Sequence, residues 1–282
     1  MAQSAESAAD GGGAVLVTGG TGTLGGRVVR QLAAAGRPVR LLSRRPRPAE
    51  RADGGVGGDV EWCTGDLATG AGLAEAVAGV AVVVNCASDV RHMGKTDPEG
   101  VRRLAAALRA AKGDGAPARL VHVSIVGIDR APFPYYRRKL AAEREVEASG
   151  LPWTILRATQ FHDLVASVSG ALGRLPVVPV PSGVNLRPVD SGEVAARLVE
   201  LAAGPAAARA ADFGGPEVRA LGGLVRAYLR AAGTGRRSLA PLPLPGRLGR
   251  ALRAGALVTP DREGVPEGRR TFEEYLADRF GG

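Results

Sequence analysis

Tyr135 and Lys139 lie in the segment PYYRRKLAAE at the i, i+4 spacing that sets two side chains on one helical face. A phenol beside an ammonium can do proton chemistry. The positive charge favours phenolate and brings the proton affinity of the hydroxyl towards neutrality. Lys139 is one of three lysines, with Lys95 and Lys112, among 37 basic residues. Arginine cannot do this pKa work, so a lysine at this position is informative. The adjacent Tyr136 points about 100° around the helix and is expected in the core or on a pocket wall.

A second stretch with chemical content is Thr18-Gly-Gly-Thr-Gly-Thr-Leu-Gly25, directly after the apolar run AVLVT. Gly19, Gly22 and Gly25 are spaced so that one makes the turn, one lets backbone approach a pyrophosphate and one packs the following helix close to the strand. The free N–H groups of Thr21, Gly22, Thr23, Leu24 and Gly25, at the positive end of that helix, would face phosphates. The end of the next strand carries Ser43, Arg44 and Arg45 where an acid would hold the ribose hydroxyl of NAD. Arginine complements a 2′-phosphate, so the expected cofactor is NADP, with NADPH preferred over NADH. Asp66, in Gly65-Asp66-Leu67, is placed to accept from the adenine amino group, or else is a turn aspartate.

The elements that must hold these residues alternate. Strands are expected at Ala14 to Thr18, Pro38 to Leu42, Val60 to Cys63, Val80 to Cys86, Leu120 to Ser124 and Trp153 to Leu156. Helices are expected at Val28 to Ala35, 71–78, Glu99 to Ala111 and Pro134 to Ser149. Strands read as near-continuous apolar runs are buried on both faces, and right-handed crossovers make a doubly wound parallel α/β sheet. Beyond 160 the alternation loosens. Leu175 to Pro181 reads as extended, Glu193 to Ala203 as a helix, and Leu221 to Leu229 as an amphipathic helix. Pro241, Pro243 and Pro245 read as a stiff connector, and Thr271 starts a last short helix. The expected division is a disordered leader over 1–12, a nucleotide-binding core over 13–160 and a C-terminal lobe over 161–282 on the substrate side.

Composition excludes several classes. With 282 residues, 45% hydrophobic and 23% charged, the chain is globular. Two cysteines, Cys63 and Cys86, make no disulfide framework. The three histidines, His92, His122 and His162, have no metal-binding spacing, and no metal is expected. No apolar run spans a membrane, and the acidic N-terminus is no signal peptide, so a cytoplasmic protein is expected. The net charge of +9 is uneven: Arg219 to Gly255 holds eight arginines and no acid. That stretch lacks aromatic interleaving and helix-turn-helix spacing, so nucleic acid is not an expected partner.

TGGTGTLG, Arg44 at the strand end, GDL at 65–67, VHVSIVGID at 121–129, PYYRRKLAAE at 134–143, PWTILRATQF at 152–161, RPVDSGEVA at 187–195 and GGPEV at 214–218 together resemble the atypical short-chain dehydrogenase/reductase superfamily, in its NmrA-like, NAD(P)H-binding branch. The resemblance covers nearly the whole chain after the leader. It implies a Rossmann fold with a small C-terminal substrate lobe. It implies Tyr135 as general acid towards a carbonyl and Lys139 as the residue that holds the nicotinamide ribose. A third member, a hydroxyl after the fifth strand, falls on Ser124, closer to Tyr135 in sequence than the superfamily's usual spacing. Backbone at Cys86, Ala87 and Ser88 would flank the cofactor ribose. His92, Phe133, Tyr136, Gln160, Phe161 and His162 would line the pocket of a planar, apolar small molecule, or else the phenylalanines are core and His92 is an exposed loop residue. The superfamily holds NADPH-dependent reductases of quinones and aromatic natural products, and also non-catalytic redox sensors. The expected function is hydride transfer from NADPH to a small carbonyl, quinone or enone, with the sensor as the alternative.

Overall fold

The computed structural model describes residues 13–47, 60–112, 116–234, 237–259 and 267–281. The expected leader over 1–12 lies outside the described residues, as do 48–59 of the arginine- and glycine-rich loop.

The apolar runs become parallel strands: β1 (Ala14–Thr18), β2 (Val39–Ser43), β3 (Val60–Thr64), β4 (Val80–Asn85), β5 (Arg119–Ile125) and β6 (Trp153–Ala158). They stand in the order β3-β2-β1-β4-β5-β6, and a two-residue strand, β9 (Ala208–Arg209), adds a seventh beside β6. Order reverses between β1 and β4, which opens a crevice at their carboxyl ends. Alternate residues of β1 serve opposite faces. Val15 and Val17 pack with α1 (Thr23–Ala34) and α6 (Ser191–Ala203). Leu16 packs on the other face with α2 (Leu73–Val77), α3 (Asp97–Ala110) and α4 (Pro134–Glu147). Both faces are therefore covered, as near-continuous apolar strands require.

The sheet does not end at residue 160. α6 closes one face against α1, and β9 extends the edge, so the chain past 160 contributes to the core as well as to the lobe. The lobe itself packs α5 (His162–Leu172), α7 (Leu221–Ala231), α8 (Gly246–Arg253) and α9 (Phe272–Phe280) around Val165, Leu224, Leu257 and Phe272. Two small sheets accompany them: β8 (Asn185–Leu186) with β10 (Arg219–Ala220), and β7 (Val177–Pro181) parallel to β11 (Ser238–Leu242). The expected proline connector thus begins as a strand. Pro241 fits because a two-stranded sheet is all edge, where a missing N–H need not break a ladder. Among the described residues no helix is long and apolar enough to cross a membrane.

The arginine-rich segment is partly structural. Arg219 grips Glu273 and Glu217, and Arg253 donates to the Leu244 carbonyl. On the sheet's other side, Arg157 at the end of β6 holds the buried Glu143 of α4 through two bonds of 2.8 and 2.7 Å and Asp129 through a third of 3.0 Å. Hydrogen bonds and charge from Arg157 outweigh burial and keep the Glu143 carboxyl below its ordinary range. A carboxyl depressed in the folded state adds stability above its unfolded pKa and loses it as pH falls through the folded value. Arg157→Leu is therefore expected to cost about 3 kcal/mol in urea unfolding at neutral pH, because Glu143 stays buried without its two-bond partner while Arg209 is half-exposed. The wild type should lose that advantage progressively below the usual carboxylate range. A difference between the two proteins that is constant with pH would rule out the ion pair as its source.

Candidate active site

The glycine turn sits at the mouth of the crevice. Gly19 has φ +66°, the left-handed region, and a β-carbon there would lie 2.8 Å from the Ala87 backbone nitrogen. At Gly25 a β-carbon would come within 2.3 Å of the Gly19 carbonyl oxygen. These two positions let α1 and the loop after β4 close on the turn. Leu24 is buried as the first core residue of α1, while Thr21, Gly22 and Thr23 are exposed. Gly22 caps α1 with no side-chain acceptor, and no acid stands in the first turn. A β-carbon at Gly22 would meet only the Gly19 oxygen, at 3.2 Å. The Gly22 N–H, expected to be free, donates to the Gly19 carbonyl at 2.9 Å. The first-turn N–H groups of α1 have no side-chain cap among the described residues and lie above an open backbone surface, which fits a diphosphate. Helix α1 begins at Thr23, one turn earlier than the apolar periodicity indicates, because glycine and threonine carry no apolar signal.

At the end of β2, Ser43 is buried and its Oγ accepts from the Arg45 N–H at 3.1 Å. The Arg45 carbonyl is held by Trp62 Nε1 at 2.9 Å, and Arg44 and Arg45 are both exposed. Asp66 accepts from the Ala68 N–H at 2.9 Å, the Asx-turn geometry of a turn aspartate, which uses one carboxylate oxygen. Leu67 packs into the core on the α3 side.

Beneath the crevice, a buried polar chain ties three strand ends together. Thr18 Oγ1 donates to Asn85 Oδ1 at 2.5 Å, and Asn85 Nδ2 donates to His122 Nδ1 at 3.0 Å. Burial first, and then the Lys139 charge, push the His122 pKa well below its ordinary value, so its ring is neutral. The Ala87 N–H donates to Thr18 Oγ1 at 3.3 Å, which pins the loop after β4 over β1. Cys86 in that loop is pushed up to about 12 by burial, an inert thiol.

Helix α4 places the phenol and the ammonium on one face, as their spacing predicts. Lys139 is 3% exposed, with Nζ 3.4 Å from the Val123 carbonyl and 3.9 Å from Asp97 Oδ2. Its pKa is lowered by burial against the opposing pull of Asp97, Glu143 and Cys86. Tyr135 Oη lies 3.1 Å from Ser88 Oγ, and Ser88 Oγ donates to Asp97 Oδ2 at 2.6 Å. The Tyr135 pKa is raised, mainly by burial and further by Asp97, with the Ser88 hydrogen bond acting the other way. The expected lowering by Lys139 does not prevail, because burial and the Asp97 charge act the other way.

The hydroxyl partner of Tyr135 is thus Ser88, from the loop after β4, and not Ser124. Ser124 sits buried on the face of β5 below α4, where its Oγ makes no hydrogen bond of good geometry among the described residues and its neighbour is Glu143, whose carboxyl it helps to keep low. His162, expected on the pocket wall, is fully buried between the rings of Phe272 and Tyr275, at 5.6 and 5.4 Å. Phe161 bridges to Val189 and packs on the sheet core. His92 is exposed and paired with Asp89 at 2.8 Å. Phe133 and Tyr136 do meet, edge to face at 5.3 Å, and Tyr136 leans on the C-terminal lobe while Tyr135 lies 6.0 Å from it. The Gln160 amide is enclosed, and neither of its polar atoms finds a hydrogen-bond partner among the described residues. Asp97 is the residue that sequence reasoning missed. The helix was expected from Glu99, yet Asp97-Pro98-Glu99 carries acids and a proline in a first turn, a legible start signal.

A family profile described as NAD(P)H-binding matches residues 19–203, from the glycine turn to the end of α6. This chain belongs to the NAD(P)H-binding family. Within it, the chain is 33% identical over 208 residues to a (4-alkanoyl-5-oxo-2,5-dihydrofuran-3-yl)methyl phosphate reductase of Streptomyces griseus, a match that covers 72% of this chain and 68% of that one. Among solved structures it resembles a nucleoside-diphosphate-sugar epimerase from Staphylococcus aureus (TM-score 0.74, 16% identity, 93% of this chain and 99% of that one). It also resembles an NADPH-dependent quinone oxidoreductase from Escherichia coli complexed with NADPH (TM-score 0.73, 19% identity, 94% and 99%). Its structural neighbours fall in the atypical short-chain dehydrogenase/reductase group, and the parallel sheet that it shares with them is of the Rossmann type.

Proposed function

We propose that this family member is an NADPH-dependent reductase of a small, planar carbonyl, quinone or enone. The observation that carries the reading is the Tyr135–Lys139 pair on α4, set beside the loop after β4 and above the ends of the central strands. Lys139 would hold the nicotinamide ribose, and the reduced nicotinamide supplies the hydride. Tyr135 donates the phenolic proton to the acceptor oxygen: the Oη–H bond breaks, an O–H bond forms on the acceptor, and a phenolate remains. A phenol with a raised pKa holds its proton at neutral pH, as an acid must. Phe133 and Tyr136 supply an aromatic edge beside it, which suits a flat acceptor. The relative from Streptomyces is named for an oxo-dihydrofuran substrate, a small unsaturated carbonyl compound, which supports this substrate class.

The test is oxidation of NADPH, followed by absorbance, over a panel of quinones, enones and aldehydes. Turnover of at least one class is expected. Tight NADPH binding with no turnover across the panel would favour a dinucleotide sensor instead.

The cofactor preference is a separate expectation. Arg44 and Arg45 stand exposed at the strand end that faces the adenosine ribose in this fold. Arg44→Ala is expected to weaken NADPH about tenfold, roughly 1.4 kcal/mol, and to leave NADH unchanged. Equal affinities of the wild type for the two nucleotides, by fluorescence titration, would remove the 2′-phosphate argument.

A further inference from the structure

We propose that Asp97 is a positioning residue for this site, one carboxylate that fixes Ser88 beneath the Tyr135 phenol, anchors the loop after β4 and holds Lys139. The inference rests on the reductase reading for its catalytic meaning, but not for its geometry.

Asp97 opens α3 and its side chain is buried, with both oxygens engaged. Oδ1 accepts the Asp89 N–H at 2.7 Å, and Oδ2 accepts the Ser88 hydroxyl at 2.6 Å while facing Lys139 Nζ at 3.9 Å. The Asp97 N–H in turn donates to the Gly94 carbonyl at 3.1 Å. One residue thereby binds both ends of the 88–94 loop. From the opposite side, Arg138 of α4 donates to the His92 and Met93 carbonyls. Gly94, at φ +74°, lies against the Tyr135 ring: a β-carbon there would sit 3.1 Å from Cδ2. The phenol is thus packed by the loop that Asp97 holds.

The direction of the hydrogen bonds matters. Because Ser88 gives its hydrogen to Asp97, its oxygen is free to accept the phenolic O–H. When Tyr135 passes that proton to an acceptor, the Ser88 hydroxyl can swing its hydrogen from Asp97 to the new phenolate. No proton is lost in this exchange; one hydrogen bond replaces another. Asp97 then remains paired with Lys139. The charged and titratable groups that face Lys139 are Asp97 of α3, Glu143 of α4, Cys86 after β4 and His122 of β5. Those about the phenol are Asp97, Tyr136 and, on the loop, the Asp89–His92 pair with Arg138 behind it.

Two variants pull this arrangement in opposite directions. Asp97→Asn removes the negative charge and turns the Ser88 hydrogen towards the phenol, which favours phenolate. Ser88→Ala removes the hydrogen bond and leaves the charge, which disfavours it. With tyrosine-labelled protein followed by carbon NMR, and Tyr135→Phe to assign the signal among four tyrosines, the Tyr135 midpoint is expected to move down by about one pH unit in Asp97→Asn and up in Ser88→Ala. Both variants should lower kcat about tenfold or more, with NADPH affinity changed less than about threefold. Midpoints that stay put, or that move the same way in both, would overturn the proposal, since a loop that merely loosens has no reason to give opposite signs. Opposite shifts in a protein without turnover would keep the positioning role and sink the reductase reading. Turnover without the shifts would do the reverse.

Discussion

Gly25→Ala is expected to abolish measurable NADPH binding. Its added β-carbon would lie 2.3 Å from the Gly19 oxygen, 2.7 Å from the Gly19 carbonyl carbon and 2.9 Å from Gly20 Cα. All three are backbone atoms of the turn, so no flexible side chain can give way. α1 must lift or tilt, and its first N–H groups then leave the positions that face a diphosphate. Overpacking of this kind costs about 1–3 kcal/mol of stability. Affinity should fall more than about a hundredfold, some 2.7 kcal/mol, because several charge-assisted hydrogen bonds move together. Gly22→Ala is the informative contrast. Its β-carbon meets only one protein atom, at 3.2 Å, so the fold should tolerate it with little change in Tm. If a nucleotide lies on that surface, Gly22→Ala weakens binding without weakening the protein. NADPH titration and thermal unfolding of the two variants check this. Retention of full affinity in Gly25→Ala would show that the turn is not where phosphate binds.

The second large effect is expected at Lys139. Lys139→Met preserves much of the buried volume and removes the ammonium. NADPH oxidation should fall about a hundredfold or more, since hydride transfer depends on where the nicotinamide is held and a small misplacement costs that much. The variant should also be less stable, because a buried charge loses its partner: Asp97 would face an apolar chain at the site of a side chain that is 4% exposed. The double variant Lys139→Met with Asp97→Asn separates the two effects. It should recover much of the lost stability and none of the lost rate, as read by urea unfolding and steady-state kinetics. Recovery of the rate would mean that Lys139 acts only through the charge balance with Asp97.

Much of this site is local, and local features are legible. A strand, a glycine turn and a helix in succession need only neighbouring residues, so Gly19 to Gly25 could be read with their roles, and Gly19 and Gly25 show the close backbone approaches those roles require. The i, i+4 spacing likewise places Tyr135 and Lys139 on one face of α4. The arginines at the end of β2 follow from where that strand stops. The parallel sheet follows from apolar runs that must be covered twice.

What the chain order could not supply were partners far apart in sequence. Ser88 and Tyr135 are separated by 47 positions, and only the packing of α4 against the loop after β4 brings them together. Ser124 is nearer in sequence and on the α4 side of β5, but it is buried beneath the helix, where its neighbour is Glu143 rather than Tyr135. His162 follows β6 as a pocket residue would, yet α9 arrives from the far end of the chain and covers it with Phe272 and Tyr275. β9, at two residues, carries no periodicity at all and exists as a strand only because β6 offers it an edge. The sign of the Tyr135 shift was settled in the same way: an ammonium four residues along the helix would have lowered it, but burial prevails, and the Asp97 carboxylate, brought in by α3, adds to it. Sequence alone determined the turn, the helix face and the sheet, since each depends on residues within a few positions of one another. Tertiary structure decided which hydroxyl, which carboxylate and which ring stand beside the phenol, since those are set by how separate elements pack.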